Sequence, residues 1–184
     1  MFFHLDNRAI LKISGNDAES FLQSQLSNDI GQLNNESVQL SAYCQHQGKI
    51  LSLFWVIRDE EGFYLSFPKD LLDAIQSRLK MFVIMSDVII EDVTSLLAQI
   101  GVLGENGFPS LSINEKMSLI IIENIDLNNF EIGPNDLWDK ACVDFNLPDV
   151  FLHTTEKFVP QMLNLDINEI GVSFSKGCYP GQEV

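Results

Sequence analysis

Cationic side chains are scarce: lysine and arginine number 11 against 26 aspartates and glutamates, a formal net charge of −15. Nucleic-acid binding draws its affinity from cations that displace counterions from phosphates, and no basic stripe with interleaved aromatics occurs, so direct nucleic-acid binding is not expected. Cysteine is sparse too. Cys44, Cys142 and Cys178 are three in number and widely spaced, which excludes a disulfide framework or a closed four-thiolate metal site within one chain and accords with a reducing cytoplasm. An iron–sulfur cluster, which usually takes four thiolates, would need ligands from a second molecule. His4, His46 and His153 stand alone with no i, i+4 partner, so no metal site is expected. Long apolar runs are missing: the longest, 50–57, is broken by Ser52 and has the length of a strand. The amino terminus, Met1-Phe2-Phe3-His4-Leu5-Asp6-Asn7-Arg8, lacks the basic region and apolar stretch of an export signal, so neither export nor a membrane is expected. Neither common glycine-rich phosphate loop occurs, which leaves nucleotide hydrolysis without a seat. The sequon Asn35-Glu36-Ser37 has no consequence in a cytoplasmic protein.

What is present suits a packed core. The 184 residues are 46% apolar, enough for one domain of ordinary size or two small intertwined lobes. Residues 8–14 alternate as a strand, Gly15 turns the chain, and Asn16 with Glu19 three positions later predicts a capped helix over 17–26 with Phe21, Leu22 and Gln25-Leu26 inside. Residues 37–44 alternate as a half-buried strand, placing Cys44 in the core, and 49–58 returns as its hairpin partner. A third strand at 63–67 leads through Pro68 into a helix carrying Leu71, Leu72, Ile75, Leu79 and Phe82 on one face. Further strands are predicted at 88–93, 96–103 and 117–122, and Asn135 opens a short helix around Trp138. Strand pairs interleaved with single helices indicate an α+β fold of antiparallel sheets covered by helices.

The residues that ask for chemistry lie at the far end: Lys176-Gly177-Cys178-Tyr179-Pro180-Gly181-Gln182-Glu183. Glycines on either side and a proline within make a stiff turn that other groups approach closely. Lys176 favours the thiolate of Cys178 if its ammonium folds back toward the sulfur, which would make Cys178 a reactive thiol. A tight turn with an incidental small apolar thiol accounts for the same residues.

Lys-Gly-Cys-Tyr-x-Gly-Gln-Glu resembles the signature of the YgfZ family, folate-binding proteins related to the T-protein of the glycine cleavage system. The resemblance extends to Phe158-Val159-Pro160-Gln161, Asn164-Leu165 and Gly171-Val172-Ser173-Phe174, to Phe21-Leu22-Gln23 with Gln25-Leu26-Ser27-Asn28-Asp29, and to Ala42-Tyr43-Cys44-Gln45-His46-Gln47-Gly48-Lys49. It implies a folate-binding, T-protein-like fold of two intertwined lobes, 1–40 plus 136–184 and 41–135, with the family's carboxyl-terminal barrel absent. It implies a tetrahydrofolate-type ligand and an accessory role in the maturation or repair of iron–sulfur enzymes, and thereby in tRNA modification. Partners would be those enzymes or assembly proteins, with cluster contact in trans through Cys178.

Ligand contacts implied by the resemblance are Trp138, Asp144, Tyr179, Gln182 and Glu183. Asp144 falls where relatives place the glutamate that meets the pterin, and a carboxylate suits two adjacent N–H donors. It is one methylene shorter, and Asn146 replaces a glycine; an ordinary solvated acid near a helix end is the alternative reading. The alternative function is folate-dependent aminomethyl transfer. Ser52-Leu53 stands where the T-protein carries an acidic pair, so the general acid or base is missing and the enzyme reading is disfavoured.

Overall fold

The chain alternates between strands and single helices in the computed structural model, which describes residues 1–182. In order the elements are β1 (Phe2–His4), β2 (Arg8–Ser14), α1 (Ala18–Gln25), β3 (Gln39–Cys44), β4 (Ile50–Asp59), β5 (Gly62–Pro68), α2 (Leu72–Phe82), β6 (Ile89–Asp92), β7 (Leu97–Leu103), β8 (Leu111–Ser112), β9 (Met117–Glu123) and α3 (Asn135–Asp144). Two antiparallel sheets result, one ordered β3-β4-β5-β2-β6 and the other β1-β7-β9-β8. The α+β reading holds. The short β1 and β8, of three and two residues, carried no legible alternation.

The apolar run of β4 is explained by burial on both faces, since successive side chains of a strand point to opposite sides. Phe54 and Val56 enter a core with Phe21 and Leu22 of α1 and Ile75 and Leu79 of α2. Leu53, Trp55 and Ile57 enter a second core with Leu119 of β9 and Trp138 of α3. The five-stranded sheet is thus a middle layer, helices on one side and the second sheet with α3 on the other. β3 is correspondingly buried from Leu40 to Cys44, not half-buried: Tyr43 faces the first core, while Leu40, Ala42 and Cys44 face the second.

Two local expectations need correction. The capping box at α1 does not form, because Asn16 Nδ2 donates to Asp87 Oδ2 at 2.6 Å and Glu19 pairs with Arg58 at 3.0 Å. Asp17 accepts from the Asp87 N–H at 2.8 Å, so a distant loop ties down the helix start. Pro68 ends β5, and a 3₁₀ turn at Lys69–Leu71 precedes α2. Leu71, Ile75 and Leu79 are buried, but Phe82, the last helical residue, is 42% exposed and is met by the Arg78 guanidinium 5.7 Å from its ring.

Each sheet takes strands from both sides of residue 40. β1 pairs with β7, and β2 with β5 and β6. The lobe boundaries implied by the resemblance are therefore not sheet boundaries.

Candidate functional site

Two places concentrate chemistry, a cavity beside α3 and the loop at 176–182. The cavity, of about 550 Å³, lies among Arg8 at the start of β2, Trp55 in β4, α3, and the connection at 147–151. Its size falls within the roughly 300–1,000 Å³ of small-molecule sites. Both tryptophans of the chain line it, their rings 6.1 Å apart and edge to face. Trp138 is set by close packing: its ring lies 5.8 Å from that of Phe3, and a Cβ at Gly101 would stand 2.7 Å from the indole, so only glycine at that β7 position leaves the room.

Arg8 is fully committed. Its guanidinium lies 4.0 Å over the Trp55 ring, Nε donates to Ser66 Oγ at 2.8 Å, Nη2 donates to Ser66 O at 3.0 Å, and Nη1 pairs with Asp149. Burial raises the Asp149 carboxyl above the ordinary carboxylate range, against the pull of Arg8. Cys142 also lines the cavity, its thiol pushed up to about 11 by burial, so it is a poor nucleophile near neutrality. Asn135 Nδ2 donates to His4 O at 3.0 Å, while its buried Oδ1 has no partner among the described residues. The cavity thus offers aromatic walls, a charge pair and a spare acceptor, a set suited to a flat, N–H-bearing ring.

The expected site residues separate. Trp138 lines this cavity. Asp144 does not: its exposed carboxylate pairs with Lys140 one turn back along α3. Lys176, Cys178, Tyr179 and Gln182 are outside its lining, and Glu183 lies outside the described residues. Ser52 and Leu53 are buried within β4 and do not line it either. Arg8, Trp55, Asn135 and Asp149 were missed by sequence reasoning; the one legible hint was a lone arginine opening an apolar strand.

Around the loop, the segments that carry the family resemblance converge. Ser27 Oγ donates to Gly171 O at 2.5 Å, the Ser173 N–H donates to Ser27 O at 3.0 Å, and Asn28 Nδ2 donates to Ile170 O at 3.3 Å. Lys176 does not fold back toward the sulfur. Its ammonium donates to Gln23 O at 2.6 Å, to Leu26 O, and to Asn28 O at 3.3 Å, capping the carbonyl end of α1. Burial lowers its pKa to about 8.

On the other side, Gly181 has φ +86°, and a Cβ there would collide with Gln45 O and the Gly48 backbone of the β3–β4 turn. Of the two loop glycines only Gly181 uses the left-handed region. The Tyr179 N–H donates to Gln182 Oε1 at 3.4 Å, and the Tyr179 ring is buried. Cys178, between these anchors, is exposed, whereas Cys44 is buried and its thiol pushed up to about 12. The loop supplies a seat anchored on both sides that presents one accessible sulfur.

No family model matches the chain. It is 34% identical over 189 residues to an uncharacterized protein of Haemophilus influenzae, covering 99% of this chain and 66% of that protein. It is 27% identical to the tRNA-modifying protein YgfZ of Photobacterium profundum, covering 98% of this chain and 63% of the relative. Against the YgfZ of Escherichia fergusonii it is 26% identical, with 98% and 65% covered. The chain therefore spans slightly under two thirds of the length of these relatives. Among solved structures, the fold is shared with the glycine cleavage system aminomethyltransferase T from Bartonella henselae, at TM-score 0.56 and 12% identity over 78% of this chain and 45% of that one. The T-protein-like fold expected from the motif is thereby found. Among the described residues, no helix is long and apolar enough to cross a membrane.

Proposed function

The chain belongs to the YgfZ family, and from that membership and the chemistry of its cavity we propose that it binds a tetrahydrofolate-type ligand beside α3. The bound protein, on this reading, supports the maturation or repair of iron–sulfur enzymes and through them the modification of tRNA. The observation that carries the ligand reading is the convergence of both tryptophans, the Arg8–Asp149 pair and the unpartnered Asn135 Oδ1 on one cavity. Trp55 and Trp138 would flank the ligand, and Asn135 would accept from a ring N–H. The tRNA part leans on the names of the relatives and on the exposed thiol of Cys178, which would meet a cluster or a partner's cysteine in trans. The acidic surface, at −15, speaks for an indirect link to tRNA. The setting we propose is the cytoplasm, where a free exposed thiol persists.

Aminomethyl transfer is not proposed, because Ser52 and Leu53 supply neither acid nor base.

The test is a titration with tetrahydrofolate read by tryptophan fluorescence and calorimetry. Saturable binding should quench the two indoles, and Trp138→Ala should weaken it at least tenfold while Asp144→Ala leaves it within twofold. A titration without saturation, or binding indifferent to Trp138, would sink the ligand reading.

A further inference from the structure

Leu5 and Arg8 line a second, smaller cavity as well, of about 260 Å³. That is several times the ~30 Å³ share of one water. It is lined by Gln99 of β7, a residue only 3% exposed in a strand of otherwise apolar character. Gln99 Nε2 makes one long contact, 3.5 Å, to Ala9 O, and the buried Oε1 has no partner among the described residues. Turning the amide over would set Oε1 against the Ala9 carbonyl, so the oxygen is the atom left for a guest. A buried acceptor without a donor is costly, and at the wall of a cavity it is an atom that a bound donor would satisfy.

The remaining polar groups of this cavity sort into spent and free. Thr94 Oγ1 is occupied by Ile10, Asn124 Nδ2 donates to Ser95 O, and Arg8 is held by Ser66 and Asp149. Lys69 and Asp6 are exposed and form no ion pair among the described residues, and His4 is half-buried beside them. An inner acceptor with one free cation and one free carboxylate near it matches a small molecule that carries both charges. We propose that this cavity binds a zwitterion of the α-amino-acid class, its ammonium toward Gln99 Oε1 and Asp6 and its carboxylate toward Lys69. The proposal is independent of the folate reading. Water would satisfy the oxygen alone, but it gives no preference between charged solutes.

L-Alanine, with propionate and ethylammonium as its two half-molecules, tests this by amide chemical-shift titration of the whole chain. L-Alanine should saturate, and each half-molecule should bind at least tenfold more weakly. Gln99→Leu and Lys69→Met should each weaken L-alanine at least fivefold. Gln99→Leu removes an unsatisfied polar atom; should it fail to fold, Lys69→Met at an exposed position carries the test. L-Alanine binding no better than its halves, or binding unchanged in the variants that fold, overturns the proposal. Trp55 and Trp138 line the larger cavity and not this one, so their fluorescence reports the folate reading separately.

Discussion

Arg8 and Asp149 stand 141 residues apart in the chain and form an ion pair that joins the start of β2 to the connection after α3. Their side chains are 7% and 17% exposed, so the pair is largely out of water. Removing one partner of such a pair leaves an uncompensated charge, at a cost of about 3–5 kcal/mol. Asp149→Ala should therefore destabilise the protein by about 3 kcal/mol in urea unfolding. Arg8→Met with Asp149→Leu should recover most of that loss, since well-packed apolar replacements of buried pairs are often neutral. A loss under about 0.5 kcal/mol in Asp149→Ala would mean that the pair is solvated and does not fix the cavity wall.

The buried ammonium of Lys176 has a sign that pH reveals. Its pKa falls from the ordinary 10.5 to about 8 on folding, chiefly through burial. Between those values the unfolded chain holds a proton that the folded chain has released, so this group makes stability rise with pH over that window. Below pH 8 both states are protonated and the full cost of burying the charge is present. Lys176→Met loses three hydrogen bonds and should be less stable throughout, yet its deficit against wild type should widen from pH 7.5 to pH 9.5. A deficit that narrows over that range would show the cation to be favoured by the fold.

Thiol accessibility should divide the three cysteines. Burial pushes Cys44 up to about 12 and Cys142 up to about 11, and Cys178 alone is exposed. Thiolate is the reactive form, so a colorimetric disulfide reagent at pH 8 should titrate one thiol promptly and the other two only on unfolding. Two fast thiols in the native protein would show that α3 opens readily enough to bare Cys142.

Much of this was legible beforehand, for reasons that differ by residue. The run 50–57 is strand-like in length and composition, and its apolarity, interrupted only at Ser52, goes with the burial on both faces that β4 shows. The motif loop was legible because glycine, proline and cysteine are local signals. Where Lys176 goes was not, since the carbonyls at the end of α1 belong to the backbone and leave no mark on sequence. Asp144 was drawn to the ligand by resemblance, although Lys140 four positions earlier is the ordinary spacing of a surface pair on a helix. Arg8 and Asp149 meet only through the tertiary fold, which no local period records.

The exposed thiol separates a packing role from a chemical one, because only a chemical thiol is needed for function while contributing little to stability. Cys178→Ser on a solvent-facing turn should shift unfolding by no more than about 0.5 kcal/mol, the usual range at surface positions. Cys44→Ser places a hydroxyl in a site 2% exposed and should cost about 1–3 kcal/mol. In cells lacking the wild-type protein, Cys178→Ser should lower the activity of iron–sulfur enzymes that modify tRNA, with the variant present at normal abundance. Cys44→Ser should act, where it acts, through reduced abundance. Full enzyme activity with Cys178→Ser would reduce the loop to a structural turn and remove the thiol from the proposed function, leaving the cavity reading to stand on tetrahydrofolate binding alone.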